Sequence, residues 1–199
     1  IDQPLLTKLD RTVGEMKPVN RRVFLSVGRL VRQKNYPLLL KAFAQYTVQH
    51  DDPNCELVIV GDGPCRNQLE DLIDELAIAD RVRLPGFSDD ITDWLSASDV
   101  FCLSSDYEGL PAVIVEALAA GLPVVTTDNS VGLRALIDTG SDGLIVPTGD
   151  VDALAHAMWQ ITSLQADPAA MRTKAKLYSI ENSAPLYLTA LRNLSPRCV

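Results

Sequence analysis

Glu108 and Glu116 bracket a Gly109-Leu110-Pro111 turn and the opening of an apolar run from Ala112 to Ala120. Proline presets the first helical turn, and glycine lets a ligand approach the backbone closely. A helix beginning there offers free backbone N–H groups and the positive end of its dipole, which together form an anion site. Two carboxylates beside an anion site gain little from packing. They have work to do if the ligand carries both phosphates and sugar hydroxyls. Glu116 lies roughly 7 Å along the helix axis from Pro111, and helical side chains lean toward the N-terminus. Its carboxylate can therefore accept hydrogen bonds from adjacent ribose hydroxyls while phosphates occupy the N–H groups. The plainer alternative is an exposed glutamate interacting favourably with the dipole. Against it stand Val113, Ile114, Val115, Ala117 and Leu118, an apolar setting in which a carboxylate needs a partner. Glu108 should point into the mouth of a cleft, to hold sugar hydroxyls or stabilise positive charge at an anomeric carbon. The bland reading is a loop carboxylate bonding local N–H groups.

Gly28-Arg29 and Lys34 supply cations in a second glycine-containing loop. Fixed cations and backbone N–H groups in a water-poor cleft stabilise a departing diphosphate. A solvated basic pair is the alternative. No paired-carboxylate motif for a metal stands out. His50 and His156 have no nucleophile or carboxylate at a suggestive spacing, so both read as structural or exposed. Trp94 and Trp159 sit at helical spacing with aliphatics and read as core.

The elements that must position these residues alternate between short apolar runs and helical periodicity. Strands are expected at Val23–Val27, Leu57–Val60, Val82–Leu84, Val100–Leu103, Pro123–Thr126 and Leu144–Val146. Each is followed by a helical segment, which predicts a Rossmann-like doubly wound parallel six-stranded sheet with helices on both faces. Further helices are expected around Ala169–Leu177 and Pro185–Leu194. Asp150 and Ser183 are N-cap candidates, and Gly121 is a helix stop. In the strand order 3-2-1-4-5-6, strands one and four are neighbours at the switch point, and ligands bind outside their carboxyl ends. That order brings the Arg29–Lys34 loop and the Glu108 loop to one crevice. Gly61-Asp62-Gly63-Pro64 reads as a turn lining it. Gly86-Phe87 could present backbone groups or a ring edge to a nucleobase, although Phe87 fits the core equally well.

Bulk properties narrow the setting. A formal charge of −8 argues against a nucleic-acid or anionic-membrane surface. No apolar run is long enough to span a bilayer. The opening Ile1-Asp2-Gln3-Pro4 has neither the basic flank nor the apolar centre of a signal peptide, and its lack of Met suggests a fragment. Cys55, Cys65, Cys102 and Cys198 show no zinc-site spacing, so a reducing, cytoplasmic setting is the simplest reading, although four cysteines could also pair. Residues 1–20 read as a linker or N-terminal extension and residues 21–199 as one domain.

An ordered set of motifs carries a resemblance. Gly28-Arg29 with Lys34-Asn35, Gly61-Asp62-Gly63-Pro64, Gly86-Phe87, Ser105-x-x-Glu108-Gly109-Leu110-Pro111 with Glu116-Ala117, Gly121-x-Pro123-Val124-Val125 and Gly143-x-x-Val146-Pro147 closely resemble the C-terminal half of retaining family 4 glycosyltransferases (glycosyl transferases group 1). The central element is E-x7-E, Glu108 to Glu116. The resemblance implies the C-terminal, donor-binding half of a GT-B fold, taking a UDP-, GDP- or ADP-sugar without a metal or other cofactor. It implies that Arg29 and Lys34 bind the diphosphate, that Glu116 holds the ribose and that Glu108 faces the donor sugar. Gly28 shares that site, Gly109, Leu110 and Pro111 would complete phosphate binding, and backbone near Gly86 and Phe87 would receive the base. It further implies hexosyl transfer to a glycan or glycolipid acceptor, in cell-envelope polysaccharide synthesis, in the cytoplasm or at the inner face of the membrane. The chain's own N-terminal acceptor-binding domain would be a partner, with the last helix packed on it. Neither nucleic acid nor direct membrane insertion is expected. The alternatives are another GT-B enzyme, such as a nucleotide-sugar epimerase, and a non-catalytic nucleotide-sugar-binding module. One segment departs from the pattern: Asn129-Ser130-Val131-Gly132-Leu133-Arg134 stands where many members carry a Gly-Gly pair and then Glu.

Overall fold

Strands covered on both faces must be apolar at nearly every position rather than at alternate ones; five of the six runs largely satisfy that demand, and Val82–Gly86, at the sheet edge, alternates instead. The computed structural model describes residues 1, 8–9, 21–50 and 52–194. Its strands are β1 (Arg22–Val27), β2 (Cys55–Val60), β3 (Val82–Gly86), β4 (Val100–Leu103), β5 (Val124–Thr127) and β6 (Gly143–Val146). They pair in parallel in the order β3-β2-β1-β4-β5-β6, the doubly wound order expected. Every residue of β2, β4 and β5 is buried.

The helices are α1 (Tyr36–His50), α2 (Arg66–Glu75), α3 (Thr92–Ser96), α4 (Ala112–Ala120), α5 (Leu133–Leu136), α6 (Val151–Ile161), α7 (Pro168–Lys176) and α8 (Ile180–Leu194). Successive strand residues point to opposite faces, so Phe24 and Leu25 of β1 feed different cores. Phe24 packs with Phe43, Tyr46, Leu154 and Met158 beneath α1, α2 and α6. Leu25 packs with Phe101, Leu118, Leu133 and Met171 beneath α3, α4, α5 and α7. Burying each such side chain contributes roughly 1.5–3 kcal/mol, so neither face can be stripped without unfolding the other.

Helix ends follow local chemistry. The Asp150 carboxylate accepts the Ala153 N–H at 2.9 Å, and Asp167 does the same for Ala169 at the start of α7. Gly121 stops α4 in the left-handed conformation, φ 79°. The last helix corrects the sequence reading. It begins at Ile180 and runs through Pro185, and Ser179 rather than Ser183 caps it, its Oγ accepting the Asn182 N–H at 3.4 Å. Proline is favoured in first turns, which is why Pro185 suggested a start. Side chains there are exposed, so solvent can reach the Glu181 carbonyl, to which Pro185 has no N–H to donate.

Trp159 is a second correction. It is 42% exposed and lies flat on His50, ring centroids 5.1 Å apart at 9°, joining α6 to the end of α1. Trp94 is half-buried against the other core, with the Arg83 guanidinium 5.6 Å from its ring. Most of the 1–20 extension lies outside the described residues. Of those described, Leu9 is buried in the second core, and the Ile1 carbonyl accepts the Ile180 N–H at 3.1 Å. Cys55, Cys65 and Cys102 are free thiols; Cys198 lies outside the described residues. Among the described residues no helix is long and apolar enough to cross a membrane.

Candidate functional site

The loops leaving the carboxyl ends of the strands are stitched together through backbone. Gly28 N–H donates to Val60 O at 2.9 Å, Gly61 N–H to Gly86 O at 2.8 Å, Asp106 N–H to Gln33 O at 2.9 Å and Glu108 N–H to Asn129 O at 2.8 Å. A side chain at residue 61 is impossible here, since its Cβ would stand 2.0 Å from the Gly28 carbonyl oxygen. The strand order thus brings the Arg29–Lys34 loop and the Glu108 loop into one crevice, as predicted.

Glu108 is the most heavily bonded residue of that crevice. Its Oε1 accepts from Lys34 Nζ at 2.6 Å and from Ser105 Oγ at 2.7 Å, and its Oε2 from Gln33 Nε2 at 3.5 Å. The Lys34 and Glu108 side chains are only 17% and 12% exposed, so this pair is screened far less than a surface ion pair. Lys34 and Glu108, expected to serve phosphate and sugar separately, are bonded to each other. A short 3-10 turn over Arg32–Lys34 aims the lysine, and its carbonyl is held by Ser104 Oγ at 2.9 Å.

Arg29 is exposed, and among the described residues no hydrogen bond or ion pair engages its side chain. It borders a cleft of about 460 Å³ whose walls include Gly28, Gly61, Asp62, Phe87 and Ser88. Phe87 is 74% exposed, so its ring forms part of the wall and does not belong to the core. A hollow of about 480 Å³ lies between the starts of α1 and α2. It contains none of the predicted residues, and its Asn35 and Asp106 bond each other at 2.6 Å. Of the predicted residues, Gly28, Arg29 and Phe87 line the first cleft.

At the start of α4 the backbone is open. Among the described residues no side chain caps the helix, Pro111 is buried and Gly109 and Leu110 are exposed. A Cβ on Gly109 would meet nothing within 4 Å. Glu116, one turn further on, is half-buried. Burial pushes its carboxyl above the usual carboxylate range, with the Ile1 amine pulling weakly the other way. Among the described residues its side chain makes no hydrogen bond or ion pair, and it borders neither hollow. The structure thus brings together Gly28, Arg29, Gly86 and Phe87 on one side and Lys34, Glu108 and the Gly109–Pro111 turn on the other.

Sequence reasoning missed the residues that hold these groups. Ser105 was visible in the Ser-x-x-Glu spacing, but Gln33 carried no signal. Ser130, in the segment that departs from the pattern, donates its hydroxyl to Gly109 O and accepts the Gly132 N–H at 3.2 Å. The departure is therefore built into the turn.

Comparison with known proteins agrees with this architecture. A profile of the glycosyl transferases group 1 family matches residues 13–178. The chain is 38% identical over 146 residues to the lipopolysaccharide core biosynthesis glycosyltransferase LpsE of Rhizobium meliloti, a match covering 73% of this chain and 41% of that protein. It is 37% identical over 145 residues to the UDP-Gal:alpha-D-GlcNAc-diphosphoundecaprenol alpha-1,3-galactosyltransferase of Escherichia coli, covering 72% and 37%. It thus spans less than half the length of these curated relatives. Among solved structures, the sucrose-phosphate synthase of Thermosynechococcus elongatus superposes with a TM-score of 0.79 at 28% identity, over 98% of this chain and 51% of that one. The sheet is accordingly a Rossmann-like unit of the GT-B fold, and the chain belongs to the glycosyl transferases group 1 family.

Proposed function

We propose that this chain is the donor-binding half of a retaining, metal-independent glycosyltransferase that moves a hexose-type sugar from a nucleoside diphosphate to a glycan or glycolipid. The observation that carries this reading is the convergence, in one crevice, of an Arg29 and an α4 start that have no side-chain partner among the described residues with the shielded Lys34–Glu108 pair. Diphosphate oxygens placed at that start would meet N–H groups without intrahelical partners and the Arg29 guanidinium, which favours paired phosphate contacts. These groups would stabilise the charge of the departing diphosphate in place of a metal ion. Lys34 would exchange one Glu108 oxygen for a phosphate oxygen as Glu108 turns to the sugar. Glu116 would accept the ribose hydroxyls. Retention follows if the acceptor attacks from the face the diphosphate leaves. Relatives named for lipopolysaccharide core synthesis and for UDP-galactose transfer to a lipid-linked sugar support a UDP-sugar and a role in cell-envelope polysaccharide synthesis. The acceptor would be held by an N-terminal half, with the enzyme working in the cytoplasm or at the inner face of the membrane.

The test is titration calorimetry with UDP, GDP and ADP, with and without EDTA. Binding of one of them that survives EDTA and weakens about tenfold or more on Arg29→Ala is expected from a lost charge-assisted contact. Absence of binding to all three would overturn the reading.

A further inference from the structure

Arg66, in the first turn of α2, holds four acceptors with one planar group. Its Nε donates to Asp62 Oδ1 at 3.1 Å, and its Nη1 to Glu70 Oε1 at 3.1 Å and to the Leu84 carbonyl at 3.3 Å. Its Nη2 donates to the Gly61 carbonyl at 3.4 Å. Gly61 and Asp62 follow β2, whereas Leu84 belongs to β3, so the guanidinium bridges the ends of two strands. That junction lacks a regular ladder. β3 is an edge strand, its register against β2 shifts between Val58 and Val60, and Pro85 has no N–H to donate. Beyond the shift, the Gly61 N–H to Gly86 O bond and Arg66 are what keep the two loops together.

Those loops are walls of the 460 Å³ cleft, where Gly61 and Asp62 stand on the β2 side and Phe87 and Ser88 on the β3 side. Arg66 does not border the cleft. We propose that Arg66 is a positioning residue that sets the spacing of the β2 and β3 loops and so the width of the slot that receives the nucleobase. This rests on the nucleotide-binding reading above. Arginine suits the task because its donors point in fixed directions within a plane, whereas a lysine ammonium offers one point of contact. Base recognition should therefore depend on a residue that never touches the base, and diphosphate recognition, centred on Arg29 and α4, should not.

The experiment compares the wild-type chain with Arg66→Met, Arg66→Lys and Glu70→Gln. Calorimetry reads affinity for UDP, GDP and ADP, with inorganic pyrophosphate as the probe lacking a base. Affinity for the nucleotide that the wild type binds should fall about tenfold or more in Arg66→Met and nearly as far in Arg66→Lys, while pyrophosphate affinity stays within about twofold. Glu70→Gln removes the charge of the one acceptor outside the two loops and should bind like wild type. Arg66→Met with unchanged nucleotide affinity overturns the positioning role, as does a parallel loss of nucleotide and pyrophosphate. A wild-type chain that binds none of the three nucleotides overturns the underlying reading instead.

Discussion

At the scale of single residues, the two glutamates behave oppositely. Glu108 is saturated with donors, and Glu116 has none among the described residues. Because burial raises the folded-state carboxyl of Glu116, the unfolded chain loses that proton first as pH rises. The penalty is absent below the unfolded value and complete above the folded one. Glu116→Gln should therefore raise the melting temperature at pH 7, with the gain vanishing toward acid pH, while nucleotide affinity falls. A melting temperature that drops at neutral pH would show that the carboxylate stabilises the fold. The cations differ in the same way. Arg29→Ala should leave denaturant stability unchanged, whereas Lys34→Ala strips Glu108 of its shielded counter-ion and should cost roughly 1–3 kcal/mol, measurable by urea unfolding. The types and approximate places of these residues were legible in the sequence. The Lys34–Glu108 bond was not, because a chain separation of this size says nothing about which of two ligands a flexible lysine prefers.

At the scale of elements, the strands and the α4 boundaries could be read directly, since apolar runs and the Pro111 and Gly121 punctuation have local causes, whereas the strand order was taken from the doubly wound pattern. What escaped had non-local causes. The exposure of Phe87 depends on where β3 ends, and the roles of Arg66 and Ser130 depend on loops brought together only by the sheet. Two glycines separate structure from ligand access. Gly109→Ala meets open space, so the melting temperature should move by less than roughly 2 °C, while nucleotide affinity falls because the methyl stands where the ligand approaches. Gly61→Ala would force apart the backbones of β1 and β2 and should cost roughly 3 kcal/mol or more, seen as a large fall in melting temperature. If Gly109→Ala binds like wild type, the ligand does not pass over that turn.

At the scale of the whole molecule, α8 presents Leu186, Tyr187, Leu188 and Leu191 to solvent, each between 46% and 72% exposed. Replacing Leu186, Leu188 and Leu191 with glutamate should leave the melting temperature unchanged in a thermal scan, since neither hydrophobic core among the described residues includes them. A marked loss of stability would show that the helix is held by this domain. The two tryptophans lie on opposite faces of the sheet, and the flat stack of Trp159 on His50 gives the molecule an optical signature. Trp159 is exposed and stacked on an imidazole, whereas Trp94 is half-buried beneath the Arg83 guanidinium, so the two indoles should emit at different wavelengths, as Trp94→Phe and Trp159→Phe spectra would show. Unfolding of either face of the sheet can then be followed by fluorescence without attaching a label.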